Sequence, residues 1–199
     1  MGLFLEISGE GRKSLAGGKT QKQYGYLWRR IYVDENQMNI QEIEDDILEV
    51  FKSITGQLSF SKPKKEWTKA ILLAIGTLGK KHGCHVCGLR EHFEPAFLYD
   101  LSWYINDAEY RLLDMPLVLE SEWSDRYSYI KFDFEKLLIA KSKFKIMVFK
   151  ASGNKVAEYF NNFEQGIRAY QGGSLGEIYL LACLIEDKWE FEIKRIQGA

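Results

Sequence analysis

Three acidic residues in the middle of the chain could do chemistry together. Asp100 lies in an apolar and aromatic run, Phe97-Leu98-Tyr99-Asp100-Leu101-Ser102-Trp103-Tyr104, where a carboxylate is costly to bury without a partner. Farther on, Pro116-Leu117-Val118-Leu119 runs into Glu120-Ser121-Glu122-Trp123. If both runs are strands, side chains two apart share a face, which puts Glu120 and Glu122 on one side, about 7 Å apart. Like charges at that spacing repel unless a cation lies between them or one of them is protonated. If the two strands pair, Asp100 joins the set, and three carboxylates make a hard-oxygen site suited to Mg²⁺ or Mn²⁺. The alternative is that Glu120 and Glu122 open a solvated loop while Asp100 is bonded to a backbone amide.

The elements around these acids follow from periodicity. Ile40, Ile43, Ile47, Phe51 and Ile54 recur at three and four residues, one face of a helix that Gly56 ends. A second helix starts after Ser61-Lys62-Pro63, buries Trp67, Ile71, Ala74, Ile75 and Leu78, and stops at Gly79 and Gly83. Strands are expected at 84–89, 96–104 and 117–123. Helical period returns over 130–141 through Ile130, Phe134, Leu137 and Leu138. Phe144, Ile146 and Val148 alternate with Lys143, Lys145 and Met147 as a strand would. Val156, Tyr159, Phe160, Phe163 and Ile167 mark another helix, and 178–185 with 189–196 read as a closing hairpin around Glu186-Asp187-Lys188. This order predicts an α/β fold, a mixed central sheet flanked by helices. Residues 1–25, with five glycines from Gly9 to Gly25 and the cations Arg12, Lys13, Lys19 and Lys22, are expected to be a flexible basic segment before a single domain over 26–199. A short strand is expected over 24–33.

In this order of elements, Asp100 … Glu120-Ser121-Glu122, then a helix with Asp133-Phe134-Glu135-Lys136-Leu137-Leu138, then a lysine-flanked strand, resembles the PD-(D/E)XK nuclease superfamily. The resemblance runs from about Trp67 to Val148. It implies the restriction-endonuclease-like fold and metal-dependent hydrolysis of phosphodiester bonds in nucleic acid, DNA first. It makes Asp100 the first metal-binding acid and Glu120 the second, with Glu122 a third, and Mg²⁺ or Mn²⁺ the cofactor. The family lysine falls on Glu122, a departure that some restriction endonucleases of the superfamily share. In other branches the lysine moves to the following helix, where Lys136 or Lys141 would serve. An upstream helical glutamate often completes such sites, and Glu49 and Glu66 are the candidates. The rival expectation is a non-catalytic protein of the same fold that binds nucleic acid or a protein partner. A homodimer also fits a small nuclease that cuts both strands.

Composition bounds these readings. The chain has 199 residues, 27 Lys+Arg against 28 Asp+Glu, and a net charge of −1, so a strongly basic nucleic-acid binder is excluded as a whole-chain description. Local basic runs remain. Lys131, Lys136, Lys141, Lys143, Lys145, Lys150 and Lys155 meet only Asp133 and Glu135 over that stretch, and Arg29 and Arg30 add to the cations near the start. Trp103, Trp123, Tyr127 and Tyr129 could stack on bases, although core packing is the commoner fate of such residues. Cys84-His85-Val86-Cys87, with His82 and His92 nearby, resembles half a zinc knuckle, but Cys183 is the one remaining cysteine and a full ligand set is not apparent. An odd cysteine count and no signal-like or membrane-length apolar run point to the reducing cytoplasm.

Overall fold

The computed structural model describes residues 39–57 and 63–198, which fall in one compact unit. The expected basic glycine-rich segment and the strand over 24–33 lie outside the described residues. Helix α1 spans Ile40–Gln57 and α2 spans Lys64–Lys81. Seven strands and two helices follow: β1 (His85–Gly88), β2 (Glu94–Pro95), β3 (Leu101–Asn106), β4 (Leu112–Glu122), α3 (Tyr127–Ile139), β5 (Phe144–Ala151), α4 (Gly153–Ala169), β6 (Ile178–Ile185) and β7 (Glu190–Gln197).

The strands form one mixed sheet in the order β2-β1-β3-β4-β5-β6-β7. β1, β3 and β4 are successive antiparallel neighbours. β4, β5 and β6 run parallel, with α3 and α4 as the crossovers, and β7 returns antiparallel to β6. β6, Ile-Tyr-Leu-Leu-Ala-Cys-Leu-Ile, is buried at every position, as a strand covered on both faces must be.

Each face has its own helix pair. Ile43, Ile47, Phe51 and Ile54 of α1 and Trp67, Ile71 and Ile75 of α2 are buried. They cover the face carrying Trp103, whose indole N–H donates to the Ile75 carbonyl at 3.1 Å, and Phe191, whose ring lies 5.1 Å from that of Phe51. On the other face, Ile130, Phe134 and Leu137 of α3 and Val156, Phe160, Phe163 and Ile167 of α4 pack on Val118, Met147, Phe149, Tyr179, Leu181 and Cys183.

Three local expectations change. Gly79 does not stop α2 but lies inside it, because a Cβ there would stand 2.6 Å from the Trp103 indole nitrogen. The left-handed residue at the helix end is Gly83, at φ +76°. The strand expected over 96–104 begins at Leu101, so Asp100 precedes β3 rather than sitting within it, and Leu98 before it is left-handed at φ 64°. β5 does not carry a polar lysine face. Lys145 is fully buried, its ammonium 2.7 Å from the Glu177 carboxylate and 3.1 Å from the Tyr179 hydroxyl.

Candidate active site

β3 and β4 place the acids. Leu101 pairs with Leu119 and Trp103 with Leu117, and these four side chains face α1 and α2. Asp100 therefore comes opposite Glu120, and both face α3, as does Glu122. The face-sharing expected of the three acids is what the register gives. Asp100 accepts the Ser121 backbone N–H at 2.8 Å, which fixes one carboxylate oxygen.

Glu120 is 1% exposed. Lys136 reaches back from α3 so that its ammonium lies 2.7 Å from Glu120 Oε1, and it donates to Asp133 at 3.0 Å. That ion pair covers the buried Oε1 of Glu120. Burial pushes the Glu120 carboxyl up to about 8. Lys136 opposes that rise, and the charges of Asp100 and Asp133 add to it. Burial also raises Asp100, against the Ser121 amide that favours its charged form. Burial pulls Lys136 down, yet Glu120 and Asp133 outweigh it and hold the ammonium above the usual lysine value. A buried carboxylate, a half-buried one and one lysine thus share a site short of positive charge, which is chemistry that accepts a divalent cation.

Glu122 takes a different role from its neighbours. Its carboxylate accepts the Ser124 N–H at 2.7 Å, turned toward the β4–α3 loop, although its charge still reaches Asp100. The three acids share a face but do not present three convergent oxygens. Glu49 and Glu66 are exposed on α1 and α2, across the sheet from Glu120, and do not join the site. Lys141 lies beyond the end of α3, which leaves Lys136 as the helix lysine at the acids.

The basic run is not a free patch. Lys131 pairs with Glu135, Lys143 donates to the Gly176 carbonyl, Lys145 is buried on Glu177, Lys150 pairs with Asp125 and Glu186, and Lys155 pairs with Glu158. Trp103, Trp123 and Tyr127 pack in the core, whereas Tyr129 is exposed. Burial raises the Cys84 thiol to about 11 and the Cys183 thiol to about 12. Among the described residues, three convergent donors within 4.8 Å of one another occur at Glu42, Asp46 and His82, a cluster that could hold a metal. There Lys81 and His82 already contact Asp46, at 2.7 and 2.9 Å, and tie α1 to α2.

Sequence reasoning missed two residues of the site. Asp133 holds Lys136, and the Tyr99 hydroxyl feels the charges of both Glu120 and Lys136. The spacing of Asp133 and Lys136 by three was a visible signal, but the same spacing is common on solvated helix faces. No protein-family model, curated protein or solved structure matches this chain.

Proposed function

We propose that this protein is a metal-dependent nuclease of the restriction-endonuclease-like type, hydrolysing phosphodiester bonds in nucleic acid. The observation that carries the reading is the pairing of Asp100, half-buried just before β3, with the buried Glu120 on β4, the Lys136 ammonium from the next helix lying against Glu120. The order of elements supports it: α2, the meander β1-β3-β4, the crossover α3 and then β5 parallel to β4. Asp100 and Glu120 supply hard carboxylate oxygens opposite each other, a donor set that fits Mg²⁺ or Mn²⁺ and would hold it.

Such an ion, when bound, would lower the pKa of a water and stabilise charge on the leaving oxygen. The chain's own residues do the remaining work. The Ser121 amide orients Asp100, Asp133 positions Lys136, and the Lys136 ammonium offsets the negative charge that grows on the phosphate. The half-buried setting of Lys136 strengthens that offset relative to open water.

A non-catalytic protein of the same fold is the second reading. Glu122 in place of the strand lysine, with its carboxylate on the Ser124 amide, is the observation in its favour.

Calorimetry with Mn²⁺ separates the two. Wild type should bind, Asp100→Ala should not, and wild type should cut plasmid or single-stranded substrates when the metal is present. Loss of binding in Asp46→Ala instead would place the ion at the Glu42–Asp46–His82 cluster. Wild type that neither binds Mn²⁺ nor cuts overturns the nuclease reading.

A further inference from the structure

α3 shows two sides with different chemistry. Ile130, Phe134 and Leu137 are buried in the core. Residues 129, 132, 133 and 136 are three, four and seven apart and share another side. That side holds Lys136 and Asp133, hydrogen-bonded to each other, and through Lys136 it meets Glu120. The two remaining positions on it are aromatic and open: Tyr129 is 51% and Phe132 65% exposed. The Arg126 guanidinium lies 5.9 Å from the Tyr129 ring centre and extends the strip by one more group able to stack. Phe132 stands one helical turn from Lys136, and Tyr129 nearly one turn farther. Two exposed rings so near a charged site cost free energy in water and have no structural duty in the core.

We propose that this strip is the binding track for a single strand of nucleic acid, whose bases stack on Phe132 and Tyr129 while its backbone passes Lys136. The inference rests on the nuclease reading and names its substrate class. A single strand is favoured over a duplex for two reasons. Base faces are available to rings only when they are not already stacked in a helix. In addition, Lys131, Lys136, Lys150 and Lys155 are each committed to carboxylates, so the surface near the acids does not present the row of free cations that a duplex backbone needs.

The test is fluorescence anisotropy on the full chain, in EDTA so that nothing is cut. The probes are labelled oligo-dT and oligo-rU of about a dozen residues, within the usual span of a single-strand site, and a mixed-sequence DNA duplex of the same length. Both single strands should bind more tightly than the duplex. Phe132→Ala and Tyr129→Ala should each weaken single-strand binding by roughly 5- to 150-fold, the range for losing one stacked base. Phe132→Trp should retain it, and neither alanine change should alter the thermal midpoint appreciably, because both rings are exposed. A duplex bound as tightly as the single strands, or alanine variants with unchanged affinity, overturns the proposal. So does a concentration-dependent dimer abolished by Phe132→Ala in a protein that binds no oligonucleotide, which would make the strip a self-association surface. Cleavage with Mn²⁺ is scored separately. Binding that follows the rings without any cleavage removes the nuclease reading and keeps the track. Cleavage that ignores the rings removes the track and keeps the nuclease.

Discussion

Glu120 carries a conflict that can be measured. Its carboxyl is buried and raised to about 8, far above the value it has in an unfolded chain. The folded state therefore holds a proton that the unfolded state releases. By linkage, its contribution to stability is complete below the unfolded value near 4.5 and is lost as pH rises toward 8. Urea unfolding in EDTA should show stability falling across that window, with Glu120→Gln flattening the fall. A wild-type profile that stays flat over the same range would mean that Lys136 keeps Glu120 ionised in the folded state. Lys145 presents the complementary case, a buried cation whose partners are complete: Glu177 at 2.7 Å and the Tyr179 hydroxyl at 3.1 Å. Lys145→Ala leaves Glu177 buried and unpaired and should cost about 3–5 kcal/mol. Lys145→Met with Glu177→Gln should recover much of that loss, since no full charge is then left without its partner.

At the scale of elements, one substitution should act with opposite signs at two glycines. Gly79 lies in α2 under the Trp103 indole, where a Cβ would stand 2.6 Å from the ring nitrogen. Gly79→Ala should therefore destabilise by about 1–3 kcal/mol despite the better helix propensity of alanine. Gly56 in α1 meets nothing within 4 Å, so Gly56→Ala should stabilise by up to about 1 kcal/mol. Thermal unfolding of the two variants checks both signs. These glycines also mark what the sequence made legible. The helices and the mixed sheet were legible because apolar residues repeat at three and four in one and at two in the other. Gly79 misled because a glycine chosen for close approach to Trp103 has the same letter as one chosen to end a helix. Asp100 and Glu120 stood out because acids are conspicuous in apolar runs. Lys145 did not, since a lysine alternating with Phe144 and Ile146 reads as the wet side of a strand, and its partner Glu177 is 32 residues away. The Lys136–Glu120 contact was hidden for the same reason: it joins a helix to a strand, and no local spacing records it.

For the whole molecule, the even balance of charge and the way it is distributed make one further prediction about binding. The chain carries 27 cationic and 28 acidic side chains, and most lysines around the acid pair are already neutralised by carboxylates. Binding of a single strand should therefore release few counterions. Each phosphate contact contributes a slope of about −0.7 in log affinity against log salt for single strands, so two contacts lower affinity by only about 7-fold between 50 and 200 mM salt. A protein that tracked a duplex through six or more lysines would lose about a thousandfold or more over the same interval. Anisotropy titrations at several salt concentrations distinguish the cases directly. A shallow slope that survives in Lys136→Met, together with the loss on Phe132→Ala, would assign most of the affinity to stacking. A steep slope would mean that the ion pairs of Lys131, Lys150 and Lys155 open on binding and turn toward phosphate. Recognition would then be electrostatic, and the aromatic side of α3 would have lost its part in it.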